Sequence, residues 1–154
     1  APKGIPILYR WWFPEDSEVF NVLREYISSH PEDYDMSYLF SKLKRQEIGE
    51  KQYYALYLGK SINGQHRFKN HIKGPMSSST LRRTVSALLQ IKDEVKISSV
   101  LSSCYYEWVE FSQDSELIDS VELMAISLGY YPLNLDGNHA ISQLWKTLLT
   151  EKRN

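Results

Sequence analysis

The sequence predicts one α/β (α+β) domain in which a small three-stranded sheet is flanked by helices. Three observations predict it. Three short runs, Ile5 to Trp12, Gln52 to Leu58 and Cys104 to Phe111, concentrate the Tyr, Trp, Val and Leu that suit a pleated, half-buried surface. The stretches around them carry apolar residues at helical rather than alternating spacing. The chain of 154 residues shows no internal repeat, no low-complexity tract and no linker, a length that fits a single compact domain.

The elements follow in order. The first strand, IPILYRWW, ends towards Pro14. Asp16 or Ser17 can cap a helix through about His30, with Val19, Phe20, Val22, Leu23 and Ile27 as its apolar stripe and Pro31 as its stop. A second helix is expected from Asp33 to about Gln46, turning Met36, Tyr38, Leu39 and Leu43 inward. The second strand, QYYALYL, stops at Gly59. A polar helix over roughly Gln65 to Lys73 breaks at Gly74-Pro75, and the run from Ser77 to Thr80 offers several N-caps for a helix to about Ile91, with Leu81, Val85, Leu88 and Leu89 buried. After the third strand, Asp114 or Ser115 caps a helix to Leu128, with Gly129 as its C-terminal stop. Pro132 then imposes an extended segment, and a last amphipathic helix spans about His139 to Glu151 on Ile141, Leu144, Trp145 and Leu148.

The apolar fraction is 42% and the charged fraction 24%, ordinary for a globular protein. The single cysteine, Cys104, excludes an intrachain disulfide and fits a reducing compartment, so a cytoplasmic (intracellular) location is expected. No run approaches the roughly 18–20 apolar residues that span a bilayer, and Ala1-Pro2-Lys3-Gly4 has neither a secretory pattern nor an initiator Met, as in a processed or trimmed chain. The net charge of −1 conceals a polarised distribution: from Lys60 to Lys92 there are seven Lys or Arg and no acid, and from Ile97 to Trp145 seven Asp or Glu and no Lys or Arg. Cations hold a phosphate backbone by counterion release and carboxylates hold a hard metal ion. Two solvated faces that pair with each other would read the same way. Zinc-type Cys/His clusters, Gly-rich phosphate loops and nucleophile elbows are absent from the sequence.

Two places carry chemistry. Tyr57-Leu58-Gly59-Lys60 ends the second strand, and Arg67 and His71 then share one face of the following helix. Arg matches phosphate oxygens with a planar fork, and His exchanges protons near neutrality. An i, i+4 Arg/His pair also occurs as plain solvated surface. In the helix after the third strand, Glu116, Ser120 and Ser127 share a polar arc, whereas Glu122 points between Ile118 and Ile126. A carboxylate aimed at apolar neighbours needs compensation, from a metal ion or from a paired cation in a buried salt bridge. Asn134 follows just after Pro132, as a partner for such a carboxylate, a phosphate contact or a turn residue.

Together these residues resemble the GIY-YIG nuclease family. The second motif of that family is similar to Tyr57-Leu58-Gly59, with Leu in place of Ile; Arg67 and His71 follow at the family spacing, and Glu122 and Asn134 stand where the family has its metal-binding Glu and its Asn. Ile7-Leu8-Tyr9 keeps the tyrosine of the first motif but not its glycine, and residues 14–50 form a helical insertion between strands that are usually closer. The resemblance covers roughly residues 5–12 and 52–134. It implies an antiparallel three-stranded sheet and a divalent-metal-dependent endonuclease acting on DNA, with Mg²⁺ or Mn²⁺ on Glu122. It further implies Tyr9 or Tyr57 as general base, Lys60 as the cation favouring its phenolate, and Arg67 on the growing phosphoryl charge. His71 would position a tyrosine or relay its proton, and Asn134 would orient Glu122 or a phosphate. Lys69, Lys73, Arg82 and Arg83, on the two helices after the second motif, are expected to track the nucleic-acid backbone. A homodimer is one way to cut both strands. The competing expectations are a non-catalytic nucleic-acid-binding domain of the same fold and a protein-interaction module.

Overall fold

The computed structural model describes residues 6–61, 79–110 and 115–153. Among them are a four-stranded antiparallel sheet and six helices. In chain order these are β1 (Ile7–Pro14), α1 (Glu18–Ser29), α2 (Tyr34–Ser41), β2 (Arg45–Ile48), β3 (Lys51–Ser61), α3 (Thr80–Leu89), α4 (Glu94–Ser102), β4 (Tyr105–Glu110), α5 (Ser115–Leu128) and α6 (Gln143–Arg153). The strands lie in the order β2-β3-β1-β4.

The sheet has one strand more than the sequence predicts. The expected helix from Asp33 to Gln46 stops at Ser41, and Arg45–Ile48 turns back through Gly49 (φ +65°) to pair with β3. The signal was weak because this edge strand is short, polar and largely exposed, so it shows no buried alternation. Tyr38, expected inward, is exposed on α2. A further helix, α4, occupies a stretch for which no element is predicted; Asp93 caps it by accepting from Val95 N at 3.0 Å.

Helices cover both faces of the sheet. On one face Ile7, Tyr9, Trp11 and Phe13 of β1, all essentially inaccessible, join Leu56 and Tyr57 of β3 beneath residues of α1, α2, α3, α4 and α6. On the other, Leu8, Trp12, Ala55 and Leu58 pack with Ala125 and Ile126 of α5 and with Tyr131. A bulge opposite the Trp11/Trp12 step makes the change of parity in β3, so that Leu56 and Tyr57 both enter the first core. Beyond it Gly59 pairs with Tyr9 and Lys60 with Leu8.

A buried polar knot sets the direction of α6. Asp33 caps α2, accepting from Met36 N at 3.2 Å, and also accepts from Tyr26 Oη at 2.6 Å and Ser142 Oγ at 2.7 Å. Ser142 in turn accepts from Trp145 N, and the fully buried Trp145 donates Nε1 to Pro132 O at 2.8 Å. Burial alone would raise the Asp33 pKa, but the hydrogen bonds from Tyr26, Ser142 and Met36 outweigh it and the net value lies below the ordinary 3.8. A depressed carboxylate contributes stability above its unfolded pKa and loses it as pH falls through the folded one. The stability gap between wild type and Asp33→Asn is therefore expected to be full at neutral pH and to shrink below about pH 4, which thermal melts across that range will read.

Candidate active site

Residues far apart in the sequence line one cleft of about 180 Å³: Tyr57 and Leu58 of β3, Thr80 of α3, Glu122 and Ile126 of α5, the segment from Leu133 to Asp136, and Arg153 of α6. Helical periodicity brings Glu122 here. Ile118 and Ile126, one turn to either side, are buried against the domain, and the half-buried Glu122 between them is drawn to the edge of that contact. Tyr57 is 6% exposed and shares its face of the sheet with Tyr9, whose ring centroid lies 6.4 Å away. Tyr9 is 1% exposed, also packs on Tyr106 at 5.4 Å, and fills the space over Gly59, where a Cβ would stand 2.4 Å from the Tyr9 hydroxyl. Of the two tyrosines, Tyr57 is the one that opens on the Glu122 cleft.

Asn134 is tied to the strand that carries Tyr57. Its Oδ1 accepts from Leu58 N at 2.8 Å, and its Nδ2 donates to Leu58 O at 2.7 Å. Leu133 N adds a bond to Leu56 O at 3.0 Å. Asn134 thus occupies the edge of β3 beyond β2, as a neighbouring strand would, and holds the strand between Tyr57 and Gly59. Asn138 secures the segment, donating to Tyr131 O and Asn134 O at 2.8 and 2.9 Å.

Lys60 is likewise corrected as the cation beside the reactive tyrosine. It pairs with Leu8 across the sheet, on the face opposite Tyr9 and Tyr57, and its ammonium forms an ion pair with Asp119 of α5. Arg82 is corrected as a backbone contact. It is fully buried, and its guanidinium donates to Ser98 Oγ at 3.0 Å and Glu94 O at 3.1 Å, tying α3 to α4. Burial lowers its pKa against the opposing charge of Glu94. Arg82→Ala is expected to destabilise the domain by at least about 1.5 kcal/mol, the worth of a charged hydrogen bond. Thermal unfolding of the variant beside wild type checks this. Arg83 is exposed, with Nη2 on Thr80 Oγ1 at 3.3 Å at the cleft wall. Arg67, His71, Lys69 and Lys73 lie outside the described residues.

Three cleft residues have no counterpart in the sequence reading: Thr80, Asp136 and Arg153. Thr80 stood only among the candidate caps, Asp136 sat in a turn-like Asp-Gly pair, and no periodicity brings the chain's last turn back to β3. Burial, followed by the charge of Arg83, lowers the Arg153 pKa, while Asp136 and Tyr57 raise it. Glu122 and Asp136 offer hard carboxylate oxygens, and one or two carboxylates are what a largely hydrated Mg²⁺ takes from a protein, so the donor set fits such an ion. Among the described residues no group of three or more His, Cys, Asp or Glu gathers as a fully protein-ligated metal site would. A second hollow, of about 260 Å³ along Arg10, Glu107 and Trp108, is larger. Its charges are already spent, because Glu107 accepts from both Arg10 and Trp12.

Tyr57 of the antiparallel sheet and Glu122 of α5 thus line the same cleft. The chain matches the family model described as the GIY-YIG catalytic domain over residues 7–154, nearly its whole length, and belongs to that nuclease family. No curated protein and no solved structure matches it. Among the described residues no helix is long and apolar enough to cross a membrane.

Proposed function

We propose that this protein is a divalent-metal-dependent endonuclease that hydrolyses DNA phosphodiester bonds at the Tyr57–Glu122 cleft. The observation that carries the reading is the convergence of Tyr57 and Glu122, 65 positions apart in the chain (122 less 57), on one cleft beside Arg153, in a chain that matches the family domain. Glu122, aided by Asp136, would hold Mg²⁺ or Mn²⁺, which when bound supplies positive charge against the scissile phosphate and the leaving oxygen.

The chain's own residues do the rest. Tyr57, as phenolate, takes a proton from the attacking water while the water oxygen bonds to phosphorus. The bond from phosphorus to the leaving oxygen breaks, and that oxygen acquires a proton. Free tyrosine titrates near 10, so the phenolate needs nearby positive charge, which a bound divalent ion would supply. Asn134 keeps β3 in place. The family resemblance assigns Arg67 to the phosphoryl oxygens in the transition state and His71 to proton relay. One site cuts one strand, so a double-strand break takes a homodimer or two binding events.

The test is supercoiled plasmid incubated with wild type in Mg²⁺ or Mn²⁺ against EDTA. Nicked circles with metal alone are expected. DNA binding without cleavage in any metal would favour a non-catalytic binding domain, and no binding at physiological salt would favour a protein-interaction module.

A further inference from the structure

Arg153 and Arg83 come from different helices, and both reach the Glu122 cleft, Arg153 directly and Arg83 by way of Thr80. Arg153, half-buried in the last turn of α6, lines it, and Arg83, exposed on α3, donates to Thr80, which lines it too. They are close enough for the charge of Arg83 to be felt at Arg153. Among the described residues neither arginine forms a salt bridge, and the acid that acts on Arg153 is Asp136. Their like charges repel each other, and burial adds to the cost for Arg153. An anion between them removes that repulsion. Guanidinium forks match the oxygens of a phosphate, and the N-terminal end of α3 at Thr80 adds a favourable helix dipole.

We propose that Arg153 and Arg83 together seat a DNA backbone phosphate at the mouth of the cleft, flanking the phosphate that is cut. This rests on the nuclease reading for its ligand but not for its geometry. Arg83 at the rim and Arg153 on the wall place the bound phosphate outward of Glu122 and Tyr57. The seat fixes where the strand enters, so its loss weakens substrate binding more than it slows the bound complex.

The test measures binding of a short fluorescein-labelled DNA duplex in EDTA across a salt series, for wild type, Arg153→Gln, Arg83→Gln, the double variant and Arg153→Lys. One phosphate contact contributes about 0.9 to the slope of log affinity against log salt. Each Gln variant is expected to bind several-fold more weakly, and the double variant to lose about one such unit rather than two, because the arginines share one phosphate. Arg153→Lys keeps the charge and is expected to keep most of the slope, which separates a lost contact from a misfolded chain; thermal unfolding of each variant gives the same control. In cleavage assays, KM is expected to rise several-fold with kcat nearly unchanged.

Unchanged affinity and slope in folded Arg153→Gln would overturn the seat, as would a fall in kcat at constant KM, which would put Arg153 on the transferring phosphate. A loss of two slope units in the double variant would also overturn it, as two separate contacts. Wild type that binds DNA with the expected slopes but never cleaves would remove the nuclease reading and leave the seat standing. Wild type that cleaves while Arg153→Gln binds normally would do the reverse.

Discussion

Gly59→Ala is expected to lower the stability of the domain by about 2–3 kcal/mol, the upper part of the range for overpacking a core, and to cut DNA cleavage by more than about tenfold. A Cβ at residue 59 would stand 2.4 Å from Tyr9 Oη, 2.5 Å from Cζ and 2.8 Å from Cε2, all inside contact distance. The Tyr9 ring has little room to retreat, since it is 1% exposed and packs against Tyr57 and Tyr106. The strain is therefore expected to pass into the pairing of β1 with β3, where Tyr57 lies two residues away. Replacing Tyr9 by Leu in the Gly59→Ala background is expected to restore part of the stability, a coupling that a double-mutant cycle in urea will show. Additive effects would mean that the contact does not govern the strand.

The second large effect is expected from Asn134→Ala. It would strip Leu58 N and O of their side-chain partners while Leu58 stays 3% exposed. An unsatisfied buried backbone group costs about 1–3 kcal/mol, so the pair gives roughly 2–6 kcal/mol. For a domain of this size that is a drop in Tm of about 4 °C or more. Asn134→Asp is expected to fare little better, because an oxygen would then face Leu58 O. Loss of activity should track loss of stability. A variant that melts like wild type yet fails to cleave would return Asn134 to direct contact with substrate or Glu122.

What the sequence revealed of the site depended on how local each relation was. Glu122 was legible because the helical period alone places it between Ile118 and Ile126, and the cleft position follows from those neighbours. Tyr57 was legible as a strand residue near a glycine, but the strand does not stop at Gly59 as expected: it stays paired with β1 through Gly59 and Lys60 to Ser61. Lys60 shows the same local logic missed: three residues from Tyr57 along a strand, it falls on the other face, where Asp119 holds it. Asn134 depends on a backbone 76 residues away and Arg82 on a helix absent from the sequence reading, so neither partner could be inferred from spacing. Arg153 joins the cleft through the packing of α6, fixed by Asp33, Ser142 and Trp145 in a three-dimensional knot with no sequence motif. β2 escaped because an exposed polar edge carries no hydrophobic pattern.

The most direct test of the account is nicking of supercoiled plasmid by wild type and Glu122→Gln side by side, each in Mg²⁺, Mn²⁺ and EDTA, with thermal unfolding of both. The account predicts that wild type cuts only with metal and that Glu122→Gln folds as well but cuts at least about 100-fold more slowly, a barrier increase near 2.7 kcal/mol. Metal-dependent cutting by folded Glu122→Gln at the wild-type rate would contradict it and move the active site elsewhere on the domain.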